Sequence, residues 1–156
     1  MRPDRIWLLQ YPVELGRATV EHVEEWMREF RLIAIAEESD AGQHHVPAQL
    51  LAMVAALRER YATELSEPDR LRDEAAARGE PSVDLWYPVR DETEQTVLGW
   101  QQMVTAVDSF CAAQALLTLQ RSPEVVELQD WVVEQFLSQL RGEPPRPWSQ
   151  RKAAAS

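Results

Sequence analysis

His44 with His45, and His22 between Glu21 and Glu25, are the residues whose types best suit metal or acid–base chemistry. A zinc site takes three or four ligands, and adjacent histidines in a loop tend to point apart. No Cys or His pair at ligand spacing completes His44 and His45, so they read as solvated loop residues. Helical metal clusters place a carboxylate three residues before the histidine. That position before His22 is Thr19, and no second helix repeats the pattern, so His22 reads as a surface histidine among i,i+4 charges. Cys111 as a nucleophile would need a neighbouring base and an exposed, electropositive setting. Its place on an apolar helical stripe predicts a buried structural thiol instead. The glycines, at 16, 42, 79, 99 and 142, never take a phosphate-cradling spacing, and no serine sits in a nucleophile elbow. The carboxylates read mostly as a solvated face. The sequence thus predicts no catalytic residue, no metal and no cofactor.

The aromatic residues carry more information. Trp26, Trp100 and Trp131 fall on apolar helical stripes and are predicted core. Trp7 and Trp86 lie near strand ends, and Trp86 is out of phase with Val83, Leu85 and Tyr87. An indole on the outer face of an edge strand is a natural interface anchor unless helices cover both faces of the sheet, and the sequence leaves both readings open. The expected interaction residues are therefore Trp86, Trp7 and Tyr87. The alternative is a small-ligand sensor or an enzyme of unfamiliar type, with a pocket lined by Trp7, Tyr11, Trp86 and Tyr87. "PPRPW", from Pro144, has the composition of a ligand for a proline-reading module, but as a terminal tether it requires no partner.

The elements that must position these residues follow from periodicity. "RIWLLQY" (5–11) reads as a strand ended by Pro12. Leu15, Thr19, Val23, Trp26, Met27, Phe30 and Ile33 then recur at helical spacing. Residues 32–38 either extend that helix or form a short strand. A loop over "SDAGQHH" leads to a second helix from Val46-Pro47. A third is predicted with Ser66 as N-cap, Pro68 in its first turn and Gly79 as its stop. "SVDLWYPV" alternates with a period of two and reads as a half-buried strand. The stripe Val97, Trp100, Met103, Val104, Val107, Phe110 and Cys111 follows, and residues 115–119 suit a third strand or a helix end. "SPEVVELQDWVVEQFLSQLRG" is a helix capped by Ser122 and closed by Gly142. Tyr-Pro-Val recurs at 11–13 and 87–89 because one junction, an aromatic strand end followed by proline, is used twice. The predicted class is α+β and mostly helical, with four to five helices and a small sheet of two or three short strands. Residues 1–142 form one compact domain, and 143–156 are expected to be a flexible tail.

Composition bounds the partners. At a net charge of −10 and pI near 4.8, the surface field repels phosphate backbones and anionic lipid. Nucleic acid and membranes are not expected partners. The single cysteine allows no internal disulfide, and "MRPDRIWLLQYP" is too short an apolar run for a signal peptide. These features predict a reduced, cytoplasmic protein.

Three stretches carry a resemblance: "VPAQLLAMVAALRERY", "RDEAAARGEPSVDLWYPV" and "LLTLQRSPEVVELQDWVVEQFLSQLRGEPPRPW". They resemble a group of short actinobacterial proteins associated with regulatory neighbourhoods of anti-sigma kinases, anti-anti-sigma domains and phosphatases. The Asn-box and Gly-rich ATP lid of those kinases are missing here. The resemblance implies a companion of such regulators: a non-enzymatic module acting by protein–protein interaction, with a partner protein or itself.

Overall fold

The structure, a computed structural model, describes residues 2–37, 45–116 and 119–152. Strand β1 (Arg5–Pro12) runs into α1 (Val13–Glu37), and α2 (His45–Arg60) and α3 (Ala62–Ala77) follow. Strand β2 (Ser82–Pro88) returns beside β1, and α4 (Thr93–Ala113) and α5 (Pro123–Leu140) come last. Among the described residues the fold is α+β and mostly helical, with five helices and a two-stranded antiparallel sheet. No described helix is long and apolar enough to cross a membrane.

The sheet register sets which aromatic faces where. Ile6 pairs with Tyr87, Trp7 with Trp86 and Leu8 with Leu85, after which the register shifts and Tyr11 pairs with Val83. The shift is a bulge: Gln10 takes a left-handed φ of 60°, and its N–H donates to Asp84 Oδ1 at 2.8 Å. Without this extra residue Tyr11 would fall on the outer face. With it, Ile6, Leu8 and Tyr11 are all buried on the inner face with Leu85.

Two apolar clusters hold the helices. Trp26, Phe30, Leu50, Val107, Phe110 and Cys111 join α1, α2 and α4. Leu8, Tyr11, Leu85, Leu128 and Trp131 join the sheet to α5, with Leu71 of α3 packed against them. The sequence places the N-cap of α3 at Ser66, but the helix starts at Ala62 and Ser66 Oγ donates to the Thr63 carbonyl at 2.7 Å. The earlier start needs no cap because α2 hands its hydrogen bonding on. Tyr61 N–H donates to Leu57 O and Leu65 N–H to Tyr61 O, both at 2.9 Å. Pro68 therefore lies inside α3 and is buried. Residues 32–37 continue α1. Helix α4 stops at Ala113, where Ala115 turns left-handed (φ 57°) and Leu116 N–H closes on Cys111 O at 2.7 Å. Residues 38 and 117–118 lie outside the described residues.

Helix α5 caps as its sequence predicts. Ser122 Oγ accepts from Val125 N–H, and Gly142 (φ 92°) closes the other end by donating to Gln139 O at 2.9 Å. Its buried face is wider than the apolar stripe and includes Gln135, Ser138 and Gln139. Gln139 bonds both peptide groups of Trp7, accepting from its N–H at 2.9 Å and donating to its C=O at 2.7 Å. A side-chain amide thus stands where a third strand would pair.

The tail expected to be flexible from Glu143 folds back onto α5 instead. Trp148 packs edge-on against Trp131, with ring centroids 5.4 Å apart, and Trp131 Nε1–H donates to Arg146 O at 3.1 Å. Arg146 N–H donates to Gln135 Oε1 at 2.8 Å, and the Arg151 guanidinium stacks over Trp148 at 3.7 Å. The reason is apolar area: one face of Trp131 needs a cover, and "PPRPW" supplies it. Residues 153–156 lie outside the described residues.

Trp131→Ala removes this ring from a site that is 2% exposed and strands the segment behind it. A loss of about 3–5 kcal/mol is expected in a urea or guanidinium titration, against a total commonly of about 5–15. A loss below about 1 kcal/mol would remove Trp131 from the core.

Candidate functional site

Adjacent strand positions point to opposite faces, and this splits the three residues expected to form an interaction site. Trp7 and Trp86, register partners, share the outer face with the exposed residues Arg5 and Asp84. Neither apolar cluster includes Trp7 or Trp86, and both indoles are half-buried. The Arg5 guanidinium lies 4.2 Å from the centroid of the Trp86 ring, a contact worth about 0.5–1 kcal/mol at an exposed site. Tyr87 does not join them. It faces inward, packed on Phe136 with ring centroids 5.5 Å apart.

On that inner side Tyr87 and Tyr11 line a cleft of about 920 Å³, together with residues from every helix. Part of the lining is polar. Arg72 of α3, its side chain 23% exposed, forms an ion pair with Asp69 and lies 6.0 Å from the Tyr11 ring centroid. Tyr11 lies across Gly16, so close that a Cβ there would fall 2.8 Å from the Tyr11 hydroxyl oxygen. Burial pushes the Tyr87 phenol up to about 12 and raises that of Tyr11 as well, with the Arg72 charge opposing the shift at both. Burial works against the Arg72 charge, and the nearby Asp69 carboxylate favours it. Both phenols are therefore neutral donors at physiological pH. The lining also includes the apolar Val20, Val23, Val54, Leu57 and Trp100, with Glu24 and Arg58 among them. The four-aromatic pocket expected as the alternative does not form, since Trp7 and Trp86 lie on the opposite face of the sheet from Tyr11 and Tyr87.

The remaining candidates have structural partners. His22 is not a free surface histidine: its Nε2 lies 2.9 Å from Leu119 O, a carbonyl that also accepts from the Trp26 indole. The ring meets Trp26 edge-on at 4.9 Å. Cys111 is buried, and burial with the nearby Asp108 charge pushes its thiol up to about 11. That is the inert form of the residue. His44 lies outside the described residues, as does the side chain of His45. Among the described residues, no group of three His, Cys, Asp or Glu is placed to hold a metal ion.

Sequence reading missed Arg72, Asp69 and Gly16 as site residues. Arg72 and Asp69 look like ordinary members of a charged helix. Gly16 did carry a signal, because a glycine inside an otherwise regular helical pattern often marks a close approach.

Two predictions test the cleft geometry. By helix propensity alone Gly16→Ala would stabilise α1 by up to about 1 kcal/mol. The overlap with Tyr11 reverses the sign, and a net loss of about 1–2 kcal/mol is expected in urea. A more stable variant would show that the ring swings away freely.

The second concerns alkaline pH. The Tyr87 proton is held more tightly in the fold than in the unfolded chain, whose phenols titrate near about 10. The fold's advantage is therefore complete below that pH and is lost as pH rises toward about 12. Absorbance at 295 nm should show a tyrosinate step near about 12 that Tyr87→Phe removes. A complete titration of the folded protein near about 10 would contradict the burial of this phenol.

No protein-family model, curated protein or solved structure matches this chain.

Proposed function

We propose that this chain is a regulatory module that acts by binding another protein through the outer face of the β1–β2 sheet. The observation that carries the reading is the Trp7–Trp86 pair, set opposite each other in register on the face that neither apolar cluster takes up. Indoles with a guanidinium beside them are the residue types that dominate binding energy at protein interfaces. Their conformational cost is low here. Trp7 has its peptide groups clamped by Gln139, and Trp86 lies under Arg5, so little order remains to be imposed on association. The acidic composition supports a protein partner over nucleic acid or an anionic surface. The sequence resemblance points to the regulators of sigma-factor partner switching as the class of partner, with the module working in the cytoplasm and without catalysis of its own.

The test is Trp86→Ala, compared with the native protein in two measurements. The native chain captures its partner from a cell extract, and the captured protein, once identified, is titrated against both forms. Affinity should fall by about 2 kcal/mol or more, roughly 30-fold, while the melting temperature changes little. Sedimentation of the two forms alone reports self-association through the same face. Loss of folding together with binding would move Trp86 into the core. Unchanged affinity and unchanged self-association would take the sheet face out of the interaction.

A further inference from the structure

The cleft on the inner side of the sheet has features that a packed core lacks, and it is independent of the outer face. Its volume of about 920 Å³ is within the range of small-molecule sites, roughly 300–1,000 Å³. Its lining mixes charged, phenolic and apolar side chains. The Arg72 guanidinium lies beside the Tyr11 ring, and its charge acts on both the Tyr11 and Tyr87 phenols, so that α3, β1 and β2 bring three donors to the lining. Val20, Val54, Leu57 and Trp100, from α1, α2 and α4, add apolar surface to the lining. Val20 is 42% exposed at the cleft although it is a large apolar residue.

We propose that this cleft binds an amphipathic carboxylate, its head group on Arg72, Tyr11 and Tyr87 and its hydrocarbon body along the apolar side chains of the lining. The fork of Arg72 has five N–H donors, and Asp69 takes a hydrogen bond from Nη2. A ligand carboxylate engages the guanidinium in the same way and accepts from the phenols, which have no competing negative charge at neutral pH. Asp69 is 56% exposed and turns to water at little cost when displaced. The charges along the walls balance, with Arg17, Arg58 and Arg72 against Glu24, Asp69 and Asp73. The choice of head group therefore rests on the Arg72, Tyr11 and Tyr87 donors. A cationic amphiphile would have to use Asp73 and Glu24 at the rim. Gly16 contributes by omission: its missing Cβ leaves room for the Tyr11 ring against α1.

The experiment titrates the full chain by calorimetry with decanoate, decylamine and decanol, each below its micelle concentration. Decanoate should bind at one equivalent and raise the melting temperature, and it should bind at least about tenfold tighter than decanol or decylamine. Arg72→Gln should weaken decanoate by about tenfold or more and leave decanol unchanged. Val20→Trp fills the exposed rim and should weaken both ligands. Trp86→Ala should leave decanoate binding intact, which separates this site from the outer face. Saturable binding of decylamine in preference to decanoate would overturn the head-group assignment. Equal decanoate affinity in the native chain and Arg72→Gln, or no saturable binding of any of the three, would overturn the site.

Discussion

The bond between the Gln139 amide and the peptide groups of Trp7 is the constraint on which the rest of this fold depends. Two strands alone are marginal in water, and each leaves an edge of unpaired N–H and C=O groups. Here α5 meets that need from a helix, one amide supplying donor and acceptor together. Buried polar groups are costly unless satisfied, so this amide in turn requires its neighbours. Gln139 Nε2 also donates to Gln135 Oε1 at 3.2 Å, and Gln135 accepts from Arg146 N–H. The chain's C-terminal segment is thereby tied to its first strand through two glutamines. Every buried side-chain nitrogen and oxygen among the described residues has a partner, so the network closes.

Anchoring α5 to the sheet edge has a consequence for the interior. The sheet and α5 build one apolar cluster, while α1, α2 and α4 build another around Trp26 and Phe30. Two cores that are each complete have no need to fuse, and the cleft lies between them. Helix α3 reaches it with Arg72, and Tyr11 enters it because the Gln10 bulge turns that residue inward. The same bulge frees the outer face for Trp7 and Trp86. The two candidate sites are therefore products of one strand pair. Trp86 and Tyr87 are adjacent in the chain, and the pleat sends one to each side.

Much of this architecture was legible in the sequence. The periods of Val83–Tyr87 and of Val97–Cys111, the cap at Ser122 and the stop at Gly142 are local signals, and local geometry obeys them. The parity that places Trp86 opposite to Leu85 is equally local. So is the loss of reactivity at Cys111, which follows from its place on a stripe. These features depend on hydrogen bonds and side-chain directions within a few residues, and no distant partner can reverse them cheaply.

Other features have causes far away in the chain, and only the tertiary structure decided them. The start of α3 moved from Ser66 to Ala62 because α2 delivers hydrogen-bonding groups that a cap would otherwise supply. Residues 143–152 fold onto α5 because Trp131 and Gln135 present a ring and an acceptor there, although their composition reads as loose chain. His22 is held by a carbonyl 97 positions away, and Gln139 by a peptide 132 positions away. The meeting of Tyr11, Arg72 and Tyr87 depends on a bulge, a glycine and a helix approach that no periodicity encodes. A sequence specifies which faces seek burial, but the pairing of those faces is settled by which arrangement satisfies every buried donor and acceptor at once.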